Sequence, residues 1–176
     1  MSTIKAVQYT PLFDAETIAA RIKALGAQIT RDFAGESIVC VGVLKGAFIF
    51  LADLVRAIDL PVTVEFIGVA SYAGTQSTGN VRLTLDLAAD IKGRNVVLVE
   101  DIIDTGHTID YLIDTLGVRG PKTLKVASFL SKPEAHQMHH HIDYVGFEIS
   151  KEFVIGYGLD LDQYYRNLPL LAQVKT

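Results

Sequence analysis

The chain has 176 residues, 49% hydrophobic and 20% charged, with 20 acidic side chains against 16 Lys and Arg and a formal net charge of −4. That length can bury a sizeable core without splitting, and the composition excludes a disordered segment; the longest apolar run, Ala47 to Ala52, is far too short to span a bilayer. The acidic balance gives no general attraction for nucleic acid, and a lone cysteine, Cys40, behind an N-terminus without an apolar leader points to a reducing cytoplasm.

Strand and helix patterns alternate along the chain, as in an α/β sheet. Ile18, Ile22, Leu25 and Ile29 recur at helical spacing after Asp14, a fitting N-cap. Ile38 to Val43 reads as a short buried strand closed by Leu44-Lys45-Gly46, and Phe48 to Ile58 as a buried helix. Cys40 falls inside that strand pattern, where it packs as an inert side chain. Val62 to Val69 is the next strand. Ser71 to Asn80 is polar, holds two glycines and lacks apolar periodicity, which suits a mobile surface loop. Val96 to Val99 is a run buried on both faces, the kind found in parallel sheets. Three carboxylates, Glu100, Asp101 and Asp104, form an acidic loop at its end, and Thr105-Gly106-His107-Thr108 opens a helix carrying Ile109, Leu112, Ile113 and Leu116. Leu124 to Leu130, Tyr144 to Ile149 and Phe153 to Ile155 are further strands. The Met138 to His141 run reads as a polar loop, because neighbours in extended chain point to alternating sides and no Cys or acid completes a metal set.

The segment from Val96 to Thr108 carries the most chemistry. Hydroxyls and free backbone N–H groups at a helix mouth make an anion site, yet carboxylates beside a phosphate repel it unless they face other parts of the ligand. A sugar phosphate satisfies every part: the loop takes the phosphate, and the acids accept from ribose hydroxyls or share a divalent cation. The third acid is left for proton transfer.

The sequence Glu100-Asp-Ile-Ile-Asp104-Thr-Gly106 resembles the phosphoribosyl pyrophosphate (PRPP) motif of type I phosphoribosyltransferases, in the form found in the hypoxanthine-guanine enzymes. The resemblance spans Val39 to Pro169. It implies the fold of that family: a mainly parallel central sheet flanked by helices in one domain over 1–176, with a core at about 35–150 and a small hood from 1–15 and 150–176. It also implies transfer of a 5-phosphoribosyl group from PRPP to N9 of hypoxanthine or guanine in purine salvage, giving IMP or GMP and pyrophosphate, with magnesium as cofactor. The protein would be a cytoplasmic homodimer or homotetramer with no nucleic-acid or membrane partner.

Residue roles carry over position by position. Asp104, Thr105, Gly106, His107 and Thr108 would hold the 5-phosphate, with Asp104 also the catalytic base; His107 stands where some relatives have lysine. Glu100 and Asp101 would face ribose and metal, and Asp160 would belong to the metal shell, through water. Lys45 and Gly46 match the loop that grips pyrophosphate, often through a cis peptide after the residue at Leu44, and Arg166 supplies a second cation there. Lys132, a donor-only ammonium, suits a 6-oxo group and repels the 6-amino group of adenine. Phe153 would stack on the purine and the Val154 backbone bond its edge, although by themselves both read as core residues. Ser71 and Tyr72 would open a lid that keeps water from an oxocarbenium-like transition state. The rival reading is a regulator that kept this fold to sense nucleotides and bind RNA. It should show a basic face, and no basic stripe with interleaved aromatics is present. No Gly-x-Gly-x-x-Gly follows a strand and no Walker loop occurs, which sets aside dinucleotide and NTPase readings.

Overall fold

The computed structural model describes residues 7–71 and 81–175. Strand β1 (Tyr9–Phe13) leads into helix α1 (Ala15–Asp32), then β2 (Ile38–Leu44), α2 (Phe48–Ala57), β3 (Val62–Ser71), β4 (Val81–Leu85), β5 (Asn95–Ile103), α3 (His107–Gly117), β6 (Thr123–Ser131), β7 (Tyr144–Glu148), β8 (Val154–Ile155) and β9 (Leu171–Val174). The expected N-cap is in place: Asp14 Oδ1 accepts from the Thr17 backbone N at 2.8 Å, with Glu16 in the first turn and Arg31 in the last to oppose the helix dipole.

Six strands form the main sheet in the order β4-β3-β2-β5-β6-β7, all parallel except the antiparallel edge strand β4. Period-two alternation divides the central strands between two cores. Ile38 and Cys40 of β2, Val97 and Val99 of β5, and Ala127 and Phe129 of β6 face α1 and α2, against Ile22, Leu25, Ile29, Phe50 and Leu54. Val39, Val41 and Val43, with Val96, Leu98 and Val126, face α3 and its Ile109, Leu112 and Leu116. A second sheet, ordered β1-β9-β8, joins segments near the two chain ends through antiparallel pairs. No helix among the described residues is long and apolar enough to cross a membrane.

Three local readings need correction. β5 does not stop at Val99 but runs to Ile103, because Glu100, Ile102 and Ile103 pair with Ser128, Leu130 and Ser131 of β6; Glu100 and Asp101 therefore stand on a strand and not in a loop. Ser71 is the last residue of β3, paired with Val81, rather than the start of a loop, and Tyr72 lies outside the described residues. Strands β1, β4 and β9 have no counterpart in the apolar pattern.

Strand order reverses between β2 and β5: the chain lays β3 and β4 to one side and β5, β6 and β7 to the other. The loops leaving these two adjacent strands diverge, which opens a crevice at their carboxyl ends. Cys40 lies in the middle of β2 with no exposed surface, and burial raises its thiol pKa to about 12. At pH 8 the native protein should therefore not react with an aromatic disulfide reagent, and one equivalent should react in denaturant; rapid labelling of folded protein would contradict this packing.

Candidate active site

The crevice between β2 and β5 is lined by backbone as much as by side chains. β2 ends in the loop Leu44-Lys45-Gly46, with a cis peptide between Leu44 and Lys45. Gly46 lies directly against the carboxylate of Asp101, so that a Cβ on Gly46 would overlap it. Glycine is required here for close approach. Helix α2 starts two residues later, with the Ala47 N–H bonded to Val43 O at 3.3 Å.

From β5 come two neighbouring acids. One oxygen of Glu100, Oε2, is buried and has no hydrogen-bond partner. Burial, then the neighbouring Asp101 charge, holds the Glu100 carboxyl well above its usual range. Burial likewise raises Asp101, opposed by hydrogen bonds from Glu100 and from the Ile102 N–H, the latter at 2.8 Å, and by the Arg166 charge. A desolvated acid pair with an orphaned oxygen fits a hard divalent cation, which would restore both to the carboxylate form. No group of three His, Cys, Asp or Glu among the described residues is arranged to hold a metal, so a magnesium here would complete its shell from water and ligand phosphate, as that ion commonly does.

Beyond β5 the chain turns through Asp104 and Thr105 into Gly106, whose φ of 88° places it in the left-handed region at the N-terminus of α3. A small cavity of about 110 Å³ sits there, lined by Glu100, Asp104, Thr105, Gly106 and Thr108 with three isoleucines; His107 is exposed and is not among its lining residues. The loop after β6 braces this turn: the Gln137 N–H bonds Thr105 O at 2.9 Å, and both Asp110 oxygens accept from the His139 and His140 backbones at 2.9 and 3.2 Å. The polar Met138 to His141 stretch is thus a loop clamped to α3.

Next to it lies a cavity of about 260 Å³ lined by Asp101, Ile102, Asp104, Lys132, Phe153, Val154, Leu159 and Asp160. The Lys132 side chain is 12% exposed and reaches Asp104 Oδ2 at 3.2 Å, while the Asp104 side chain is 55% exposed. Phe153 is 52% exposed and Val154 is buried. Asp160 and Arg166 are paired at 2.6 Å, and Arg166 Nη1 donates to Gly158 O at 2.7 Å. The sequence reading missed Gln163, whose side-chain oxygen accepts from Lys45 Nζ at 3.4 Å and from Arg166 Nη2 at 3.5 Å. Its left-handed backbone (φ 71°) among polar neighbours leaves no apolar signal. A larger cavity, about 520 Å³, lies elsewhere, between α1 and α2; it lacks the convergent acids and the loop N–H groups.

The model of the phosphoribosyl transferase domain matches residues 8–162. The chain belongs to the phosphoribosyltransferase family. It is 46% identical over 168 residues to the hypoxanthine phosphoribosyltransferase of Haemophilus influenzae, covering 93% of each chain, and 45% identical over 177 residues to the hypoxanthine-guanine phosphoribosyltransferase of Aquifex aeolicus, covering 99% of each. A crystal structure of a hypoxanthine-guanine phosphoribosyltransferase from Bacillus anthracis superposes with a TM-score of 0.90 at 45% identity, over 97% of this chain and 98% of that one. The fold is that of the type I family and the protein is a transferase. The regulator reading gains no support from these relatives, which are named for transferase activity.

Replacing Gly46 by Ala should lower kcat/KM by roughly 10²-fold, the scale on which a displacement of about 1 Å at a reacting centre acts. Steady-state kinetics of a folded Gly46→Ala variant would test this, and near-normal turnover would show that the contact with Asp101 does not shape the site.

Proposed function

We propose that the protein transfers the 5-phosphoribosyl group of PRPP to N9 of hypoxanthine or guanine, releasing pyrophosphate and forming IMP or GMP, as a cytoplasmic homodimer or homotetramer of a purine salvage route. The observation that carries this reading is the position of Asp104, which lines both the small cavity at the mouth of α3 and the larger one beside Phe153, and is held by Lys132. One acid thereby stands between a cavity rimmed by the hydroxyls of Thr105 and Thr108 and one lined half by apolar side chains.

In this reading Asp104, Thr105, Gly106, His107 and Thr108 receive the 5-phosphate through loop N–H groups and hydroxyls. Glu100 and Asp101 face the ribose hydroxyls and the magnesium, with Asp160 in the outer shell. Held there, magnesium would supply positive charge to offset that of pyrophosphate. Lys45, Gly46 and Arg166 hold that pyrophosphate, the guanidinium by two oxygens at once. Phe153 stacks on the purine, Val154 bonds its edge, and Lys132 donates to the 6-oxo group. Ser71 and Tyr72 open the segment that shuts out water.

As the bond from the anomeric carbon to pyrophosphate breaks, the N9 electron pair forms the new bond, and Asp104 takes the proton from N7. The negative charge on the leaving group passes to the cations of the β2 loop and the C-terminal arm. Lys132, already within 3.2 Å of Asp104, keeps that carboxylate near the base it must meet.

Purified protein mixed with PRPP, magnesium and each purine in turn should form nucleoside monophosphate from hypoxanthine or guanine and not from adenine; binding without turnover would favour a sensor. Asp104→Asn should fold normally and slow transfer by about 10²- to 10⁴-fold. A near-normal rate in that variant would reject Asp104 as the base. Lys132→Gln, assayed with competing bases, should relax discrimination against adenine, and an unchanged preference would remove Lys132 from base selection.

A further inference from the structure

The Asp53–Tyr157 contact joins two elements that the chemistry needs held at a fixed separation. Asp53 sits on α2, the helix that begins immediately after the Lys45-Gly46 loop, and Tyr157 sits in the turn that opens the arm bearing Asp160 and Arg166. The Tyr157 hydroxyl donates to Asp53 Oδ2 at 2.5 Å, and the other Asp53 oxygen pairs with Arg56, also at 2.5 Å. Tyr157 has φ 48°, a left-handed conformation uncommon for a bulky side chain. The residue is 6% exposed and its ring centroid lies 4.8 Å from that of Phe129, while its backbone N–H bonds Leu168 O at 2.9 Å.

What this conformation positions is the next residue. Gly158 (φ 103°) lies so close to the Gly46 carbonyl that a Cβ there would overlap it. Arg166 donates to Gly158 O and pairs with Asp160, and Arg166 and Lys45 converge on the Gln163 oxygen. The Gly158 turn thus touches the β2 loop on one side and holds a cation on the other. Burial and the Asp53 acceptor push the Tyr157 phenol pKa up, so the hydroxyl keeps the proton it donates.

We infer that Asp53 and Tyr157 are positioning residues for the pyrophosphate half of the site: their hydrogen bond locks α2 to the C-terminal arm and so fixes Gly158 and Arg166 against the Lys45-Gly46 loop. Neither side chain lines the two cavities at Asp104. The inference rests on the assignment of Lys45, Gly46 and Arg166 to pyrophosphate, and it separates the two halves of the site, since the α3 loop is braced independently by Asp110 and Gln137, and the Lys132 N–H bonds Ile103 O at 2.9 Å.

The test is a double-mutant cycle on Tyr157→Phe, which keeps the buried ring, and Asp53→Ala, which removes the acceptor from a partly exposed helix position. Each single variant should raise the KM for PRPP and the Kd of magnesium pyrophosphate, read by calorimetry, by about tenfold, as loss of a hydrogen bond to a charged group does. The KM for the purine and kcat should stay within about twofold, and the double variant should be no worse than either single one. Additive effects, equal weakening of purine and PRPP, or an unchanged KM for PRPP in either folded variant would overturn the inference. Should Tyr157→Phe fail to fold, Asp53→Ala alone decides by the same split between PRPP and purine. Wild-type protein inactive with PRPP defeats the functional reading, whereas an active wild type whose KM for PRPP ignores both substitutions defeats the latch alone.

Discussion

The contact between the Gly46 backbone and the Asp101 carboxylate is the constraint around which the rest of the site is arranged. It exists because β2 and β5 are adjacent parallel strands whose following segments leave in opposite directions, so a peptide loop and an acid pair meet at the carboxyl edge of the sheet. Carboxylates facing a bare backbone in a partly desolvated crevice are costly without positive charge. Among the described residues, positive groups stand at its margins: Arg166 on the arm, Lys45 on the loop and Lys132 beyond Asp104. In a chain of net charge −4, these three of its 16 Lys and Arg stand where an anionic ligand would need them.

Rigidity at this edge comes from contacts distant in sequence. The turn before α3 is braced by Gln137 and by Asp110 through His139 and His140, and the β2 loop is braced by Gly158. Each brace is itself tied to a packed element: Asp110 to α3, and Tyr157 to the Phe129 cluster and α2. Loop residues of the candidate site are in this way given the positional precision of the helices and strands beneath them, which is the condition for orienting reactants.

Much of the scaffold was legible in the sequence, and the reason is local. The isoleucines and leucines of α1, the two-faced runs of β2 and β5, and the Asp14 cap each declare their element within a few residues. β1, β4 and β9 did not, because β1 and β4 are sheet-edge strands with largely exposed or half-exposed side chains, and β9 is a four-residue piece paired to partners far along the chain. The acid pair was legible as chemistry but misplaced as a loop, since its strand identity depends on pairing with β6 and not on its own hydrophobicity. The Leu44–Lys45 cis peptide was reachable only through family resemblance; nothing in the two side chains announces it. Asp53 with Tyr157, and Lys45 with Gln163, lie 104 and 118 residues apart and no motif pairs them, so only the folded chain brings them together.

The most direct measurement is a crystal structure of the protein with magnesium and PRPP. A divalent cation beside Glu100 and Asp101, with the sugar's 5-phosphate on the Thr105–Thr108 turn and its pyrophosphate along the Gly46 backbone, would bear out the account. PRPP bound away from the β2–β5 crevice, or bound there with the acid pair turned from both metal and ribose, would contradict it.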